Sequence, residues 1–249
     1  MKLDEIKQNR LYDEFAYLWP LVSDPKNYVK EAGFWTRALR DKLGPGRHEI
    51  LELGVGGGNN LSHLTSDFKA TAVDLSDKML DNSRKLNPGV EHIVGDMRTV
   101  RLGRKFKAVL IHDAINYMRT EDDLRAAFKT AWEHLESGGV FITAPDYTAE
   151  TFVDGVVGHD TGSSDRTRLV YIDYQFDPDP DDTTYEYLMI YIIHENGEVR
   201  IEHDRHISGL FPLKRWLELL AETGFVVEKY PYDVHDDGHE AFLLMGIKK

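Results

Sequence analysis

The sequence predicts an α/β fold: a doubly wound parallel sheet carrying an inserted antiparallel β meander. Three observations predict it. Short apolar runs alternate with amphipathic helical patterns between residues 47 and 145, as expected of parallel strands joined by crossover helices. A glycine-rich turn, Gly54-Val55-Gly56-Gly57-Gly58, separates the first apolar run from the next helical pattern. Beyond Pro145 the chain changes to longer segments rich in Tyr, Ile, Val and Thr, divided by turn signals.

Residues 1–46 read as helices, because Leu11, Phe15 and Leu18, then Phe34 and Ala38, recur at helical spacing before Gly44-Pro45-Gly46. Strands follow at 49–53, 69–74, 91–95 and 106–112, with helices at 58–66 and 77–86. A helix at 121–135 places Leu124, Phe128, Trp132 and Leu135 on one face, with Thr120 and Asp123 as a capping box. Gly138-Gly139 closes it, and 140–144 reads as a buried strand. The meander comprises 168–175, 184–194 and 198–208, joined by an Asp/Pro turn and by Glu195-Asn196-Gly197. Pro212 opens a helix bearing Leu213, Trp216, Leu217 and Leu220, Gly224 ends it, and 225–230 pairs with 241–247. The expected organisation is a helical cap over 1–46, a core formed by 47–163 and 209–249, and a meander over 164–208. That meander is either a lid over a substrate pocket or a dimer surface, since Tyr171, Tyr185, Tyr187 and Tyr191 suit both.

Composition excludes several classes. The 249 residues suffice for one α/β domain with an insertion. No run of eighteen apolar residues occurs, so no membrane partner is expected, and Met1-Lys2-Leu3-Asp4-Glu5 lacks the apolar stretch of a signal peptide. Cysteine is absent, which removes thiolate nucleophiles and suits a cytoplasmic setting. The formal net charge of −13 argues against a nucleic-acid partner. No metal site is expected either. His203 and His206 fall on opposite faces of a strand, and His235 and His239 flank the turn Asp236-Asp237-Gly238. The acids from Asp173 to Asp182 read as a solvated, proline-punctuated turn.

The glycine turn carries the chemistry. Without Cβ atoms its backbone can approach a ligand closely, and the N–H groups of the following helix favour negative charge. Asp74, twenty residues past Gly54, ends the second apolar run, where a carboxylate can hold a ribose hydroxyl pair. An adenosine-containing cofactor is therefore expected. The dinucleotide pattern G-x-G-x-x-G fails, because Asn59 stands at its third glycine; this opposes a nicotinamide oxidoreductase. The pattern acid-x-Gly-x-Gly-x-Gly is complete at Glu52, Gly54, Gly56 and Gly58. Ligands of such sheets bind beyond the carboxyl ends of the strands, which nominates Val55, Leu75, Asp96, Met97, His112 and Asp113. Asp96 can accept from an adenine amino group, and Met97 offers the ring an apolar surface.

This motif resembles the first motif of the class I S-adenosylmethionine-dependent methyltransferases, with Asp74 in the place of the ribose-binding acid. The segments 95–98, 117–124, 135–140 and 149–155 resemble those of one branch, the amino-sugar N,N-dimethyltransferases that finish nucleotide-linked sugars such as desosamine and mycaminose. The resemblance implies a Rossmann-like seven-stranded sheet, S-adenosylmethionine as cofactor, S-adenosylhomocysteine as product, and a homodimer. It implies a cofactor set of Tyr28, Glu52, Gly54, Val55, Gly56, Asn59, Asp74, Leu75, Met79, Asp96, Met97 and His112. Tyr17, Tyr117 and Asp146 fall to the substrate. Two departures stand out: Tyr117 replaces a commonly seen histidine, and Pro145-Asp146-Tyr147 replaces a tryptophan pair.

A sulfonium methyl is already an activated electrophile, so alignment and exclusion of water supply most of the rate. His112, Asp113 and Tyr117 are the candidates for handling a proton. The function expected is methyl transfer to a small soluble acceptor, an amine such as a nucleotide-linked amino sugar. The alternatives are N- or O-methylation of another small metabolite and a non-catalytic adenosyl-ligand-binding protein.

Overall fold

The computed structural model describes residues 2–234 and 241–249; the turn holding His235 and His239 lies outside them. In chain order the strands are β1 (Glu49–Leu53), β2 (Lys69–Asp74), β3 (Glu91–Val94), β4 (Phe106–Ile111), β5 (Leu135–Thr143), β6 (Val156–Ser163), β7 (Thr167–Phe176), β8 (Thr184–Glu195), β9 (Glu198–Gly209), β10 (Val226–Pro231) and β11 (Phe242–Ile247). The helices are α1 (Trp19–Val22), α2 (Val29–Leu43), α3 (Asn59–Leu64), α4 (Asp77–Leu86), α5 (Glu121–His134) and α6 (Leu213–Thr223).

A seven-stranded sheet has the order β10-β11-β5-β4-β1-β2-β3, with β11 antiparallel to both its neighbours. Both faces are covered, which is why its central strands read as unbroken apolar runs. Side chains alternate between two cores. Leu51, Leu53, Val109 and Ile111 face α5 and α6, whereas Ile50, Ala108 and Leu110 face α2, α3 and α4. β1 and β4 are parallel neighbours at which the order of strand addition reverses, and this opens a crevice at their carboxyl ends. Helix ends follow local chemistry. Ser76 accepts from the Met79 N–H at 3.1 Å to start α4, and Thr120 accepts from Asp123 N–H at 3.1 Å to start α5.

Strands β6-β7-β8-β9 form a separate antiparallel sheet. It begins at Val156 rather than at 164, because β6 carries no apolar alternation for a sequence reading to detect. β6 is an edge strand that pairs only with β7. Its Gly162 has a packing reason: a Cβ there would lie 2.1 Å from the Leu21 carbonyl oxygen.

The N-terminal segment differs most from expectation. Short 3-10 turns at Leu3–Glu5, Arg10–Tyr12, Ala16–Leu18 and Pro25–Tyr28 stand where continuous helices were expected. Asn9 is left-handed (φ 57°), which interrupts a helix. Leu11, Phe15 and Leu18 pack on Leu169, Tyr191 and Ile193 of the meander. Their spacing reports contact with a sheet. In β5 the strand starts at Leu135, five residues before the expected start at 140. Gly138 (φ 77°) sits within a register shift opposite β4. Among the described residues no helix is long and apolar enough to cross a membrane.

Phe128 is fully buried, with ring centroids 5.6 Å from Phe141 and 6.1 Å from Trp216. Phe128→Ala is expected to cost about 3–5 kcal/mol in urea unfolding. A loss below about 1 kcal/mol would contradict this packing.

Candidate active site

A cavity of about 700 Å³ occupies the crevice. Its floor comes from the segments after β1, β2, β3 and β4; Tyr12, Trp19 and Tyr28 of the N-terminal segment and Ile207 of β9 also line it. The glycine turn shapes the floor. Gly54 (φ 75°) and Val55 donate N–H bonds to the Val73 carbonyl at 2.7 and 3.0 Å. A Cβ on Gly54 would lie 2.3 Å from the Ala114 Cβ and 2.7 Å from the Met97 methyl. The turn therefore closes down on β2 and on the segment after β4 at once. Gly56 donates to Asp74 Oδ2 at 2.7 Å, and Ser76 donates to Oδ1 at 2.8 Å. Burial raises the Asp74 pKa, while these backbone donors act to lower it.

Several polar atoms on the cavity lining are buried without partners among the described residues: Glu52 Oε2, Trp19 Nε1, and both amide atoms of Asn60. Leaving such atoms unpaired is costly, so the cavity is built for a ligand carrying both donors and acceptors. Burial pushes the Glu52 carboxyl up to about 7, against the opposing pull of His112. This set fits S-adenosylmethionine. Glu52 would take its ammonium group, Trp19 and Asn60 its carboxylate, and Asp74 its ribose. Met79 and Met97 line the cavity, and Leu75, 70% exposed, stands at its edge. Asp96 is held below the usual carboxylate range, first by the Arg98 guanidinium, which contacts both its oxygens. The Asn59 amide lines the cavity but donates to Ser23 Oγ at 2.8 Å, so it ties α3 to the N-terminal segment.

His112 sits between two carboxylates, with Nε2 2.9 Å from Glu31 and Nδ1 2.8 Å from Asp113. Burial opposes its charge, but Asp113 and Glu31 outweigh burial and hold its pKa well above the usual value. A raised pKa suits His112 to donating hydrogen bonds to these carboxylates and disfavours it as a proton acceptor. Tyr28 lines the cavity beside it, with ring centroids 6.0 Å apart. Tyr117 also lines the cavity and bonds to Tyr12 and His206.

Two expected substrate residues fall elsewhere. Tyr17 is largely exposed, away from the cavity, and accepts a bond from the Arg200 guanidinium. The 3-10 turn at Arg10–Tyr12 turns Tyr12 inward instead. Asp146 lines a small separate recess with Thr148 and Leu213, and its N–H donates to Asn116 Oδ1 at 3.2 Å. Burial, then the Asp113 charge, raises its pKa well above the usual value. Tyr12, Trp19, Glu31 and Asn60 escaped the sequence reading, and His206 was weighed there only as a metal ligand. Asn60 alone carried a local signal, at the helix start after the glycine turn. Among the described residues no cluster of three or more metal-ligating side chains occurs.

A methyltransferase-domain family model matches residues 50–139. The dTDP-3-amino-3,4,6-trideoxy-alpha-D-glucopyranose N,N-dimethyltransferase of Streptomyces venezuelae is 39% identical over 158 residues. That match covers 63% of this chain and 64% of the relative, less than two thirds of its length. The crystal structure of Streptomyces venezuelae DesVI superposes with a TM-score of 0.79 at 28% identity, covering 96% of this chain and 97% of that one. The sugar N-methyltransferase KedS8 of a Streptoalloteichus species gives a TM-score of 0.80 at 25% identity, covering 96% and 92%. Sheet order and glycine turn are those of the class I S-adenosylmethionine-dependent methyltransferase fold. Among proteins of that fold, the chain is similar to amino-sugar N,N-dimethyltransferases.

The Glu52 carboxyl, raised to about 7, must be ionised to hold an ammonium group. At lower pH, binding has to expel a proton, so cofactor affinity should rise by about tenfold per unit up to about pH 7 and then level off. Titration calorimetry in buffers of different ionisation enthalpy should show proton release near pH 6 and none above pH 8. Glu52→Gln should flatten the dependence; an unchanged profile would remove Glu52 from this role.

Proposed function

We propose that the protein methylates the amine of a small soluble acceptor, a nucleotide-linked amino sugar. The observation that carries this reading is one cavity lined by two kinds of residue: Glu52, Gly54, Gly56 and Asp74, which suit a cofactor, and Tyr12 and Tyr117, whose linked hydroxyls suit an acceptor. The name of the Streptomyces venezuelae relative, a dTDP-amino-sugar N,N-dimethyltransferase, supports the substrate class. Exposed Arg119 on the rim offers a cation to a diphosphate.

S-adenosylmethionine, when bound, supplies a sulfonium methyl group. The chain's contribution is to align the acceptor nitrogen and to exclude water. In this reading residues 1–46 act as a cap over a core of 47–155 and 210–249, with the β6–β9 sheet inserted between. The cap and β9 cover the crevice, so the inner face of the meander belongs to the lid. The cysteine-free chain suits a reducing cytoplasm.

The meander's outer face suits a second copy of the chain. Val157, Val170, Tyr174, Val199 and Ile201 are exposed there, on strands whose register places them on one side. An apolar stripe contributed by three strands of one sheet is the kind of surface that subunits bury. Light scattering should therefore report a dimer, and Val170→Lys with Ile201→Lys should give a folded monomer. A monomeric wild type at micromolar concentration would refute this assembly.

The activity is tested with methyl-labelled S-adenosylmethionine against amino-sugar nucleotides, free amines and phenols. Label should enter the amino-sugar nucleotides. Turnover confined to phenols would reject the amine reading, and turnover confined to free amines would reject the nucleotide-linked acceptor.

A further inference from the structure

Behind Tyr117 the hydrogen bonds continue out of the cavity wall and into the meander. The Tyr117 hydroxyl donates to the Tyr12 hydroxyl at 2.9 Å and lies 2.9 Å from His206 Nδ1. His206 Nε2 donates to Asp204 Oδ2 at 2.9 Å. Asp204 is fully buried and also accepts the N–H groups of Arg10 and Leu11, at 2.9 and 2.7 Å. Three donors thus hold this carboxylate, and it in turn fixes the proton on Nε2. Only the Nδ1 side of the ring is left to change.

Two proton arrangements fit these heavy-atom positions. With His206 charged, Nδ1–H donates to Tyr117, and Tyr117 donates to Tyr12. With His206 neutral, both hydroxyls reverse: Tyr12 donates to Tyr117, and Tyr117 donates to Nδ1. The two differ by one proton, which enters or leaves at the Tyr12 oxygen on the cavity wall.

We propose that Tyr12, Tyr117 and His206, backed by Asp204, form a proton relay that deprotonates an ammonium acceptor before methyl transfer. The proposal rests on the amine-acceptor reading. An N–H bond of the acceptor breaks, and its electron pair stays on nitrogen as the nucleophile. The proton bonds to the Tyr12 oxygen while the Tyr12 hydroxyl proton passes to Tyr117 and the Tyr117 proton passes to Nδ1. One ammonium charge becomes one imidazolium charge, paired with Asp204, and the proton later leaves to solvent. His206 and Asp204 act through the tyrosines as positioning and proton-holding groups; Tyr12 and Tyr117 are the groups that meet the acceptor.

The surroundings agree with this division. Burial raises the pKa of Tyr12 and of Tyr117, so their hydroxyls stay neutral and pass a proton along. His112, its pKa raised by its two carboxylates, is disfavoured for the task. The titratable and charged groups around His206 are Asp204 on its own strand, Tyr187 opposite it on β8, Tyr12 and Arg10 from the N-terminal turn, and Tyr117 after β4. Arg10 is engaged by Glu14 and Glu202, and Asp113 lies beyond, on the cavity side.

The test compares wild type, His206→Gln and Tyr117→Phe with an amino-sugar nucleotide, as kcat/KM against pH, alongside ¹⁵N NMR of the His206 ring. Near pH 7 both variants should lose about 10²-fold in kcat/KM. The deficit should shrink as pH approaches the acceptor's own ammonium pKa, where free amine is already present. Cofactor affinity by calorimetry should stay near wild type, which separates the relay from a folding defect. The ring should show an Nε2–H tautomer that gains a proton at Nδ1 as pH falls, and Tyr117→Phe should shift that titration. A pH-independent deficit, an unchanged profile, or a ring that keeps one charge state from about pH 5 to 9 would overturn the relay. If wild type methylates no amine at all, the functional reading fails first. If it does while His206→Gln keeps its profile, only the relay fails.

Discussion

The turn from Gly54 to Gly58 is the constraint on which the rest of this molecule depends. Two consecutive N–H groups bond to one β2 carbonyl, and a third bonds to Asp74. Where Gly54 meets Ala114 and Gly57 meets Trp19, added Cβ atoms would fall 2.3 and 2.0 Å from their neighbours. The turn thus draws β1, β2, the segment after β4 and the N-terminal segment to one point. Left-handed backbone at Gly54, Gly56 and Gly58 makes this geometry available without steric strain. The crevice exists because these elements converge while their side chains do not fill it.

Charge placement around that crevice follows from burial. Glu52 has an unpaired oxygen and a raised pKa, whereas Asp74 is steadied by backbone donors. Burial raises both acids, but it is opposed by His112 at Glu52 and by backbone N–H donors at Asp74, so the two present different chemistry. His112 shows the opposite balance, since two carboxylates outweigh its burial and raise its pKa well above the usual value. The N-terminal segment is fastened to the meander on the same terms. Asp204 is buried at the meander, and its carboxylate receives the N–H groups of Arg10 and Leu11. A buried charge is tolerated only when its lone pairs are filled, so this contact holds the N-terminal turn, with Tyr12, against β9.

Periodicity made most of the framework legible. Strands buried on both faces appear as apolar runs, and α4, α5 and α6 show their caps and apolar faces locally. β6 was invisible because an edge strand with glycines buries little and carries no alternation. The N-terminal segment misled because Leu11, Phe15 and Leu18 at helical spacing serve equally to pack a chain of 3-10 turns on a sheet.

The sequence by itself determined the order of the core strands and helices, the glycine turn, and the acids Glu52 and Asp74, since each depends on neighbours within a few residues. It also placed Asp96, Met97, His112 and Asp113 at strand ends, where the parallel topology puts a ligand. Only the tertiary structure decided which aromatic residues face the cavity, turning Tyr12 inward and leaving Tyr17 at the surface. It alone joined Tyr12, Tyr117, His206 and Asp204, which lie far apart along the chain. Such contacts are set by how a distant sheet packs across a crevice, and no local pattern records that distance.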